Sequence, residues 1–407
     1  MTTPGFKRPW STFALAALWF YAILWPLMGI KPEGLEFYSS FLVWIKVVAA
    51  AAIILIIYQL HHAGAFGFLE RPAVGMARGF KKGLDLAPNW TWIAAFTIGA
   101  LIFPHFADRY AADVAVNVLI YICLGLGLNI VIGLAGLLDL GYIAFYGVGA
   151  YTYALLSVNF GISFWFCLPV AALAAAAAGC IIGYPTLRMR GDYLAIVTLG
   201  FGEIVRILLN NWMSLTNGPN GVLGVKPPDF LWPVFTQGFS LEHIWLKRLP
   251  QLYYVVLGLA AITIIAVYRL NYSRIGRAWE AIREDETAAE IMGVNTFSLK
   301  LLAYAMGAVF GGLGGAFFAA RMKFVSPESF TFIESAMVLS MVILGGMGSI
   351  PGVILGALAL IVLPELFREF ELYRMLAFGG AMALMMIFRP QGLWPNKRVS
   401  GRSEEKD

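Results

Sequence analysis

The chain has 407 residues, of which 60% are hydrophobic and 13% charged, and its mean hydropathy is +0.75. A soluble globular chain carries about a quarter charged residues, so the composition excludes an ordinary water-soluble domain and points to a protein that crosses a membrane many times. The formal net charge of +5 reads as loop charge biased to one side of that membrane, not as affinity for nucleic acid.

Runs of about 20 mostly apolar residues are long enough to cross a hydrocarbon core of about 30 Å. With no water there to pair backbone groups, each run is expected to be helical. In chain order the expected spans are approximately 13–30, 41–60, 90–106, 114–134, 137–157, 163–184, 193–211, 252–270, 298–320, 331–347, 350–366 and 375–389. The expected fold class is all-α, a polytopic membrane helical bundle of about 10–12 spans. The first run follows Lys7 and Arg8 as a signal peptide would, but it contains Pro26 and lacks a small-residue cleavage site, so it is expected to be retained. The short runs near Gly136 and Gly348 read either as full crossings or as broken, re-entrant segments. Cys123, Cys167 and Cys180 lie inside apolar runs with no second ligand nearby, which argues for packing and against a disulfide framework or a metal.

This pattern divides the chain into N-terminal spans with a basic loop (1–89), a core (90–390) and a tail (391–407). With both termini inside, about twice as many Lys and Arg residues fall inside as outside. That orientation makes 212–251 the long external loop and puts the loop 271–297 in the cytoplasm. The external loop, rich in Gly, Pro and aromatics from Asn217 to Gln251, is too short to bury a core of its own and reads as an ordered surface loop or a docking cap.

Three glycine clusters stand out. Gly307, Gly311 and Gly315, like Gly348, Gly352 and Gly356, recur at i+4 and suit close helix packing in lipid. The first cluster, GLGLNIVIGLAGLLDLGYIAFYGVGAY, also contains Asp139. Tyr142, Tyr146 and Tyr153 share a helix face there, with Gly149 between them, and either line a route for a polar solute or pack with satisfied hydroxyls. In LRMRGDYLAIVTLGFGEIVRILLNN, Glu203 and Arg206 fall mid-span on one face, beside Gly200 and Gly202. A lone charge near the bilayer centre costs at least ~2.5 kcal/mol, so the pair either fixes a helix or belongs to a gate or pathway.

The stretch GRAWEAIREDETAAEIMGVN is the polar exception. Asp285 is placed to cap a two-turn helix from Glu286 to Met292, and Gly293 to supply the left-handed residue that ends it. Ala288, Ala289, Ile291 and Met292 are expected to form an apolar face, with Glu286 and Glu290 opposite. Two like charges four residues apart repel by a few tenths of a kcal/mol, so a basic partner is expected. A lipid-resting helix would carry Lys and Arg instead.

A short helix ending in glycine between two late spans resembles the coupling helix of bacterial ABC importer permeases, written Glu-Ala-Ala, three residues, Gly. Ala288, Ala289 and Gly293 match, while Thr287 takes the glutamate position with Glu286 beside it. The longer strings GLLDLGYIAFYGVGAY, GRAWEAIREDE, FVSPESFTFIESA, LGGMGS and FRPQGL resemble the LivM-type permeases of branched-chain amino acid importers, from about residue 114 to 395. The resemblance implies a permease subunit in a bacterial inner membrane that is not itself an enzyme. Its partners would be a second homologous permease, two cytoplasmic ATPases binding ATP and Mg, a periplasmic amino acid-binding protein and membrane lipid. Cargo would be leucine, isoleucine and valine, with urea or short amides as the alternative within the family and an ion-coupled secondary transporter as the rival outside it. Consistently, no Gly-x-x-x-x-Gly-Lys-Ser/Thr occurs in the chain, so this chain is expected to hold no nucleotide cofactor of its own.

Overall fold

The structure, a computed structural model, describes residues 30–31, 34–35, 89–189, 191–234, 240–246, 248–366, 379 and 392–394. Apart from single positions, the expected spans at 13–30, 41–60 and 375–389 and most of the tail lie outside the described residues. The chain separates into two compact units, Met1–Ala95 and Phe96–Asp407. In the first, β1 (Ile30–Lys31) pairs antiparallel with β2 (Gly34–Leu35).

The second unit is an all-α bundle. Its helices are the end of α1 (Asn89–Phe106), α2 (Arg109–Asn129, continued by the π-helical Ile130–Leu134), α3 (Ile143–Asn159), α4 (Phe164–Thr186) and α5 (Asp192–Asn211), followed by α6 (Leu249–Asn271). After two short helices, α7 (Arg274–Glu284) and α8 (Glu286–Ile291), come α9 (Thr296–Met322), α10 (Phe332–Gly345) and α11 (Ile350–Leu366). Among the described residues, 6 helical segments are long and apolar enough to cross a membrane. They are Arg109–Leu134, Phe164–Thr186, Tyr193–Asn211, Leu249–Asn271, Thr296–Met322 and Pro327–Gly345.

Helix α9 is the centre of the bundle, with α2, α3 and α4 around it. Glycine makes that crowding possible. A Cβ on Gly312 would lie 2.5 Å from the Ala175 Cβ and 2.8 Å from the Ala171 carbonyl of α4, and on its other side Gly312 backs onto Gly149 of α3. Gly307 faces Val131 and Gly127 of α2, while Gly311 and Gly315 face Phe145 and Tyr146 of α3. The i+4 stripe is therefore a packing device, as the spacing suggested. Gly352 and Gly356 do the same between α11 and α10, where they meet the backbone of Gly345 and Met341. Gly346 (φ 117) and Gly348 (φ 80) form the turn between those two helices.

The expected span at 137–157 is displaced. Gly136 (φ 72) reverses the chain at the end of the π segment, and helix resumes only at Ile143. Seven residues from Gly136 to Tyr142, exposed at Gly136 and buried at Asp139, Gly141 and Tyr142, thus lack helical structure, and α3, at 17 residues, is about 26 Å long. The loop 212–251 contains paired strands. β4 (Asp229–Val234) pairs antiparallel with β5 (Ser240–Trp245), and β3 (Val222–Leu223) pairs with β6 (Phe324–Val325) at the end of α9. Buried Asp229 anchors the hairpin to α4 by accepting hydrogen bonds from Ser163 Oγ at 2.7 Å and the Phe164 amide at 3.2 Å.

Candidate functional site

The loop between α6 and α9 is a capped two-helix bracket. Ser273 Oγ caps α7 by accepting from the Gly276 amide at 3.1 Å. Trp279 is fully buried, and its indole Nε1 donates to the Leu299 carbonyl at 2.8 Å. Burying a side chain of that size contributes roughly 5 kcal/mol of apolar transfer, so α7 is seated firmly on the start of α9. Asn295 Oδ1 caps α9 by accepting from the Ser298 amide at 3.1 Å.

Helix α8 is closed at both ends. Asp285 Oδ1 accepts from the Ala288 amide at 3.0 Å. At the far end the Val294 amide donates to the Ala289 carbonyl at 3.0 Å and the Gly293 amide to the Glu290 carbonyl at 2.9 Å. With Gly293 at φ 85, this is a complete Schellman termination. Six residues cannot hold a helix in water by propensity alone, and the two caps with the seat of Ala289 supply what propensity lacks.

The faces of α8 differ from the expectation in two ways. Ala289 is buried, but Ala288 is exposed, and Ile291 and Met292 are 81% and 82% exposed, so most of the expected apolar face projects away from the bundle. The two glutamates also part company. Glu286 Oε1 lies 2.6 Å from Lys300 Nζ, and Lys300 is only 8% exposed, whereas Glu290 points outward. The basic partner expected for both glutamates is, for Glu286, in the chain itself. A pair fourteen positions apart across a helix boundary leaves no periodic trace, which is why spacing did not reveal it. Thr287 is exposed on the same outer surface.

A second connection runs inward. Arg283, in the last turn of α7, donates through Nη1 to the carbonyl of Gly133 in the π segment. Its stem lies against Gly136, where an added Cβ would meet Arg283 Cγ at 2.8 Å. Across the same segment, Asn129 Oδ1 accepts from the Gly348 amide at 2.8 Å. Asp139 follows, 1% exposed, with Oδ1 accepting from the Gly141 amide at 2.9 Å and Oδ2 lacking a hydrogen-bond partner. The Leu140 amide donates to Thr198 Oγ1 of α5 at 3.1 Å. A Cβ on Gly202 would stand 3.0 Å from the Gly141 Cα, so loop and helix meet backbone to backbone.

The tyrosine stripe packs inward. Tyr142, Tyr146 and Tyr153 are buried. The Tyr142 hydroxyl donates to the Gly307 carbonyl at 3.0 Å and the Tyr153 hydroxyl to the Lys226 carbonyl at 2.6 Å. The Tyr146 ring stacks edge-on against Phe330, with centroids 5.5 Å apart. Gly149 is closed off by Gly312. All three rings are packed, and the hydroxyls of Tyr142 and Tyr153 have carbonyl acceptors.

Helix α5 is the least covered of the long helices. Its membrane-crossing stretch is 28% buried, against 39–78% for the other five. Glu203 Oε2 accepts from Arg206 Nε at 2.7 Å, with side chains 32% and 34% exposed, and a Cβ on Gly200 would meet nothing within 4 Å. Tyr193, Ile196, Ile204 and Ile207 are exposed on the same helix. The structure thus separates the candidate residues into an outward-facing bracket at α7–α8, an interior loop around Asp139 and an open face on α5. Arg283 and Trp279, which with Lys300 join these to the bundle, lie inside the string GRAWEAIREDE but had no role assigned to them, and Lys300 falls in no quoted motif. Among the described residues, no group of three His, Cys, Asp or Glu side chains could hold a metal ion.

Residues 110–389 match the family described as branched-chain amino acid transport system, permease component. The chain is 50% identical over 319 residues, 75% of each chain, to the high-affinity branched-chain amino acid transport system permease protein LivM of Escherichia coli strain K12. It is 25% identical over 285 residues to the permease protein LivH of the corresponding Salmonella typhimurium system, covering 67% of this chain and 90% of that one. The similarity to BraD of Pseudomonas aeruginosa is 24% over 285 residues, covering 67% and 91%. No solved structure matches.

Proposed function

The chain belongs to the family of branched-chain amino acid permease components, and on that premise we propose that it is the LivM-type membrane subunit of an ATP-driven importer of leucine, isoleucine and valine. A second, homologous permease completes the pathway, in keeping with the similarity to LivH. Two ATPases and a soluble amino acid-binding protein complete the assembly. This chain performs no hydrolysis and contains no phosphate-binding loop.

The observation that carries this reading is α8, a doubly capped helix that presents Ile291, Met292 and Glu290 away from the bundle it is fixed to. Exposed apolar residues on a rigid tip, rimmed by charge, are the features of a docking surface. In the proposed orientation both termini and α7–α8 are cytoplasmic, and α8 (Asp285, Thr287, Ala288, Glu290 and Gly293 included) seats on an ATPase. Closure of the ATPases on ATP moves α8, and the bundle exchanges inward- for outward-facing access. Such a shift requires that the partner contact α8 differently in the two states. The open face of α5, with Gly200 and the Glu203–Arg206 pair, lines the pathway opposite the second permease, since a half-exposed ion pair is poorly accommodated by lipid. Gly202, Asp139, Tyr142, Tyr146, Gly149 and Tyr153 form the layer behind it.

The test is uptake of labelled leucine into proteoliposomes containing both permeases, both ATPases and the binding protein. ATP-dependent uptake that ignores proton and sodium ionophores is expected. Uptake that needs an ion gradient and not ATP would sink the reading. ATP-dependent uptake of urea or short amides in place of leucine would change the cargo alone.

A further inference from the structure

The bracket must be joined to the pathway by something that carries movement, and it packs against α6, the π segment and α9, the last a helix locked on three sides by glycine packing. The contact with the π segment is the one that leads toward Asp139. Arg283 reaches the π segment, holding the Gly133 carbonyl with its guanidinium and bearing on Gly136 with its stem.

We propose that Arg283 is the positioning residue that transmits displacement of α7–α8 to the Asp139 loop and so to α5. This rests on the reading of the chain as a subunit of an ATP-driven importer. The two grips act in opposite senses. When α7 is pushed toward the bundle, the stem presses on Gly136, which has no side chain to yield; when α7 withdraws, the hydrogen bond pulls on Gly133. The element that receives the force is suited to change. A π-helical stretch is a local departure from the α-helix and a frequent feature of functional sites, and here it opens directly into eight non-helical residues, 135–142. Beyond it the path is short and contains little that could absorb movement. The Asp139 carboxylate holds Gly141, the Leu140 amide holds Thr198, and Gly141 touches Gly202 with no side chain between. Glu203 is the next residue. Asn129, bonded to Gly348 on the opposite flank, ties the same segment to the α10–α11 turn.

Contiguity alone does not establish coupling, so the test reads coupling directly and without reference to cargo. In the complete importer in nanodiscs, with Cys180→Ala removing the half-exposed native thiol, Gly200→Cys on α5 reports access by its rate of reaction with a water-soluble maleimide. With Arg283 present, trapping with ATP and vanadate is expected to change that rate about tenfold. Arg283→Met is expected to abolish the change while the ATPases still co-purify and hydrolyse ATP, and Arg283→Lys, which keeps a cation, to restore part of it. An unchanged nucleotide response in Arg283→Met overturns the proposal, and so does a Gly200→Cys reporter that never responds while Arg283 is in place. Should Arg283→Met fail to assemble, Arg283→Gln, which shortens the side chain without straining the backbone at Gly136, takes its place; loss of response supports the proposal and retention overturns it. Failure of leucine uptake with the labelling response intact would count against the proposed cargo only.

Discussion

The Lys300 ammonium lies 2.6 Å from Glu286 Oε1 at a position where Lys300 is almost wholly covered. The two charges on α8 therefore have different roles, one holding the helix to α9 and the other facing outward. Glu286→Gln leaves a covered ammonium without its counter-charge and is expected to cost about 1–2 kcal/mol, below the fully buried case because Glu286 itself remains partly wet. Glu290→Gln is expected to change stability by less than about 0.5 kcal/mol. Thermal unfolding of the two purified variants in detergent distinguishes them, and equal losses would mean that the Lys300 pair contributes nothing.

Ile291 and Met292 supply the exposed apolar surface of α8. Ile291→Asp and Met292→Asp should leave the permease folded, each within about 0.5 kcal/mol of the parent. Each should weaken ATPase association by about 2 kcal/mol, the size of a small interface hot spot. Co-purification and uptake would fall together. Retained association in both variants would place the ATPase contact elsewhere.

Glycines with identical spacing rules should behave oppositely. A Cβ on Gly149 meets the backbone of Gly312, which cannot move aside, whereas a Cβ on Gly200 meets nothing within 4 Å. Gly149→Ala is expected to destabilise by about 2–3 kcal/mol through overpacking. Gly200→Ala should be neutral or stabilising by up to about 1 kcal/mol through helix propensity. Fluorescence-detected melting of both variants checks the contrast. A tolerated Gly149→Ala would mean that α3 and α9 separate more readily than their packing implies.

At Gly293 the space is open and only the backbone constrains the residue, at φ 85. Gly293→Ala is expected to cost about 1–2 kcal/mol of local stability, and Gly293→Asn less, because Asn visits the left-handed region more easily. Hydrogen exchange of the Val294 amide, which closes the helix on Ala289, reports this directly.

Neutralising the α5 pair separates its two roles. Glu203→Gln with Arg206→Gln should alter stability by no more than about 1 kcal/mol, since a half-exposed pair contributes little. Uptake should fall about tenfold, the equivalent of about 1.4 kcal/mol. A large loss of stability with normal turnover in the surviving protein would instead mark the pair as a helix fastener.

The long helices were legible from hydropathy, because each expected span within the described core coincides with a helix except at 137–157. There the composition stays apolar while the backbone leaves the helix, and only Gly136 and Asp139 hint at it. The caps of α8 were legible because Asp285 and Gly293 act on residues next to them in sequence. Its burial was not, because the same four apolar residues fit a seated face and a projecting one equally well. Arg283, Lys300 and Trp279 escaped for a shared reason: each is defined by a partner on another helix or beyond a helix boundary. The stretch containing the hairpin at Asp229–Trp245 read as an ordered surface loop or a docking cap, but its Gly, Pro and aromatic residues gave no strand alternation to place the pairing.

The break between α2 and α3 has a bearing on how the protein is made. The Tyr142 hydroxyl is satisfied by the carbonyl of Gly307 and the Ile143 amide by Ser335 Oγ, partners 165 and 192 residues further along the chain. When α3 leaves the ribosome, neither partner has been synthesised, and lipid offers nothing in their place. The seven residues after Ala135 can therefore settle only once α9 and α10 have been delivered to the membrane. Biogenesis of this bundle is not a procession of independent insertions; the start of α3 is laid down early and secured late.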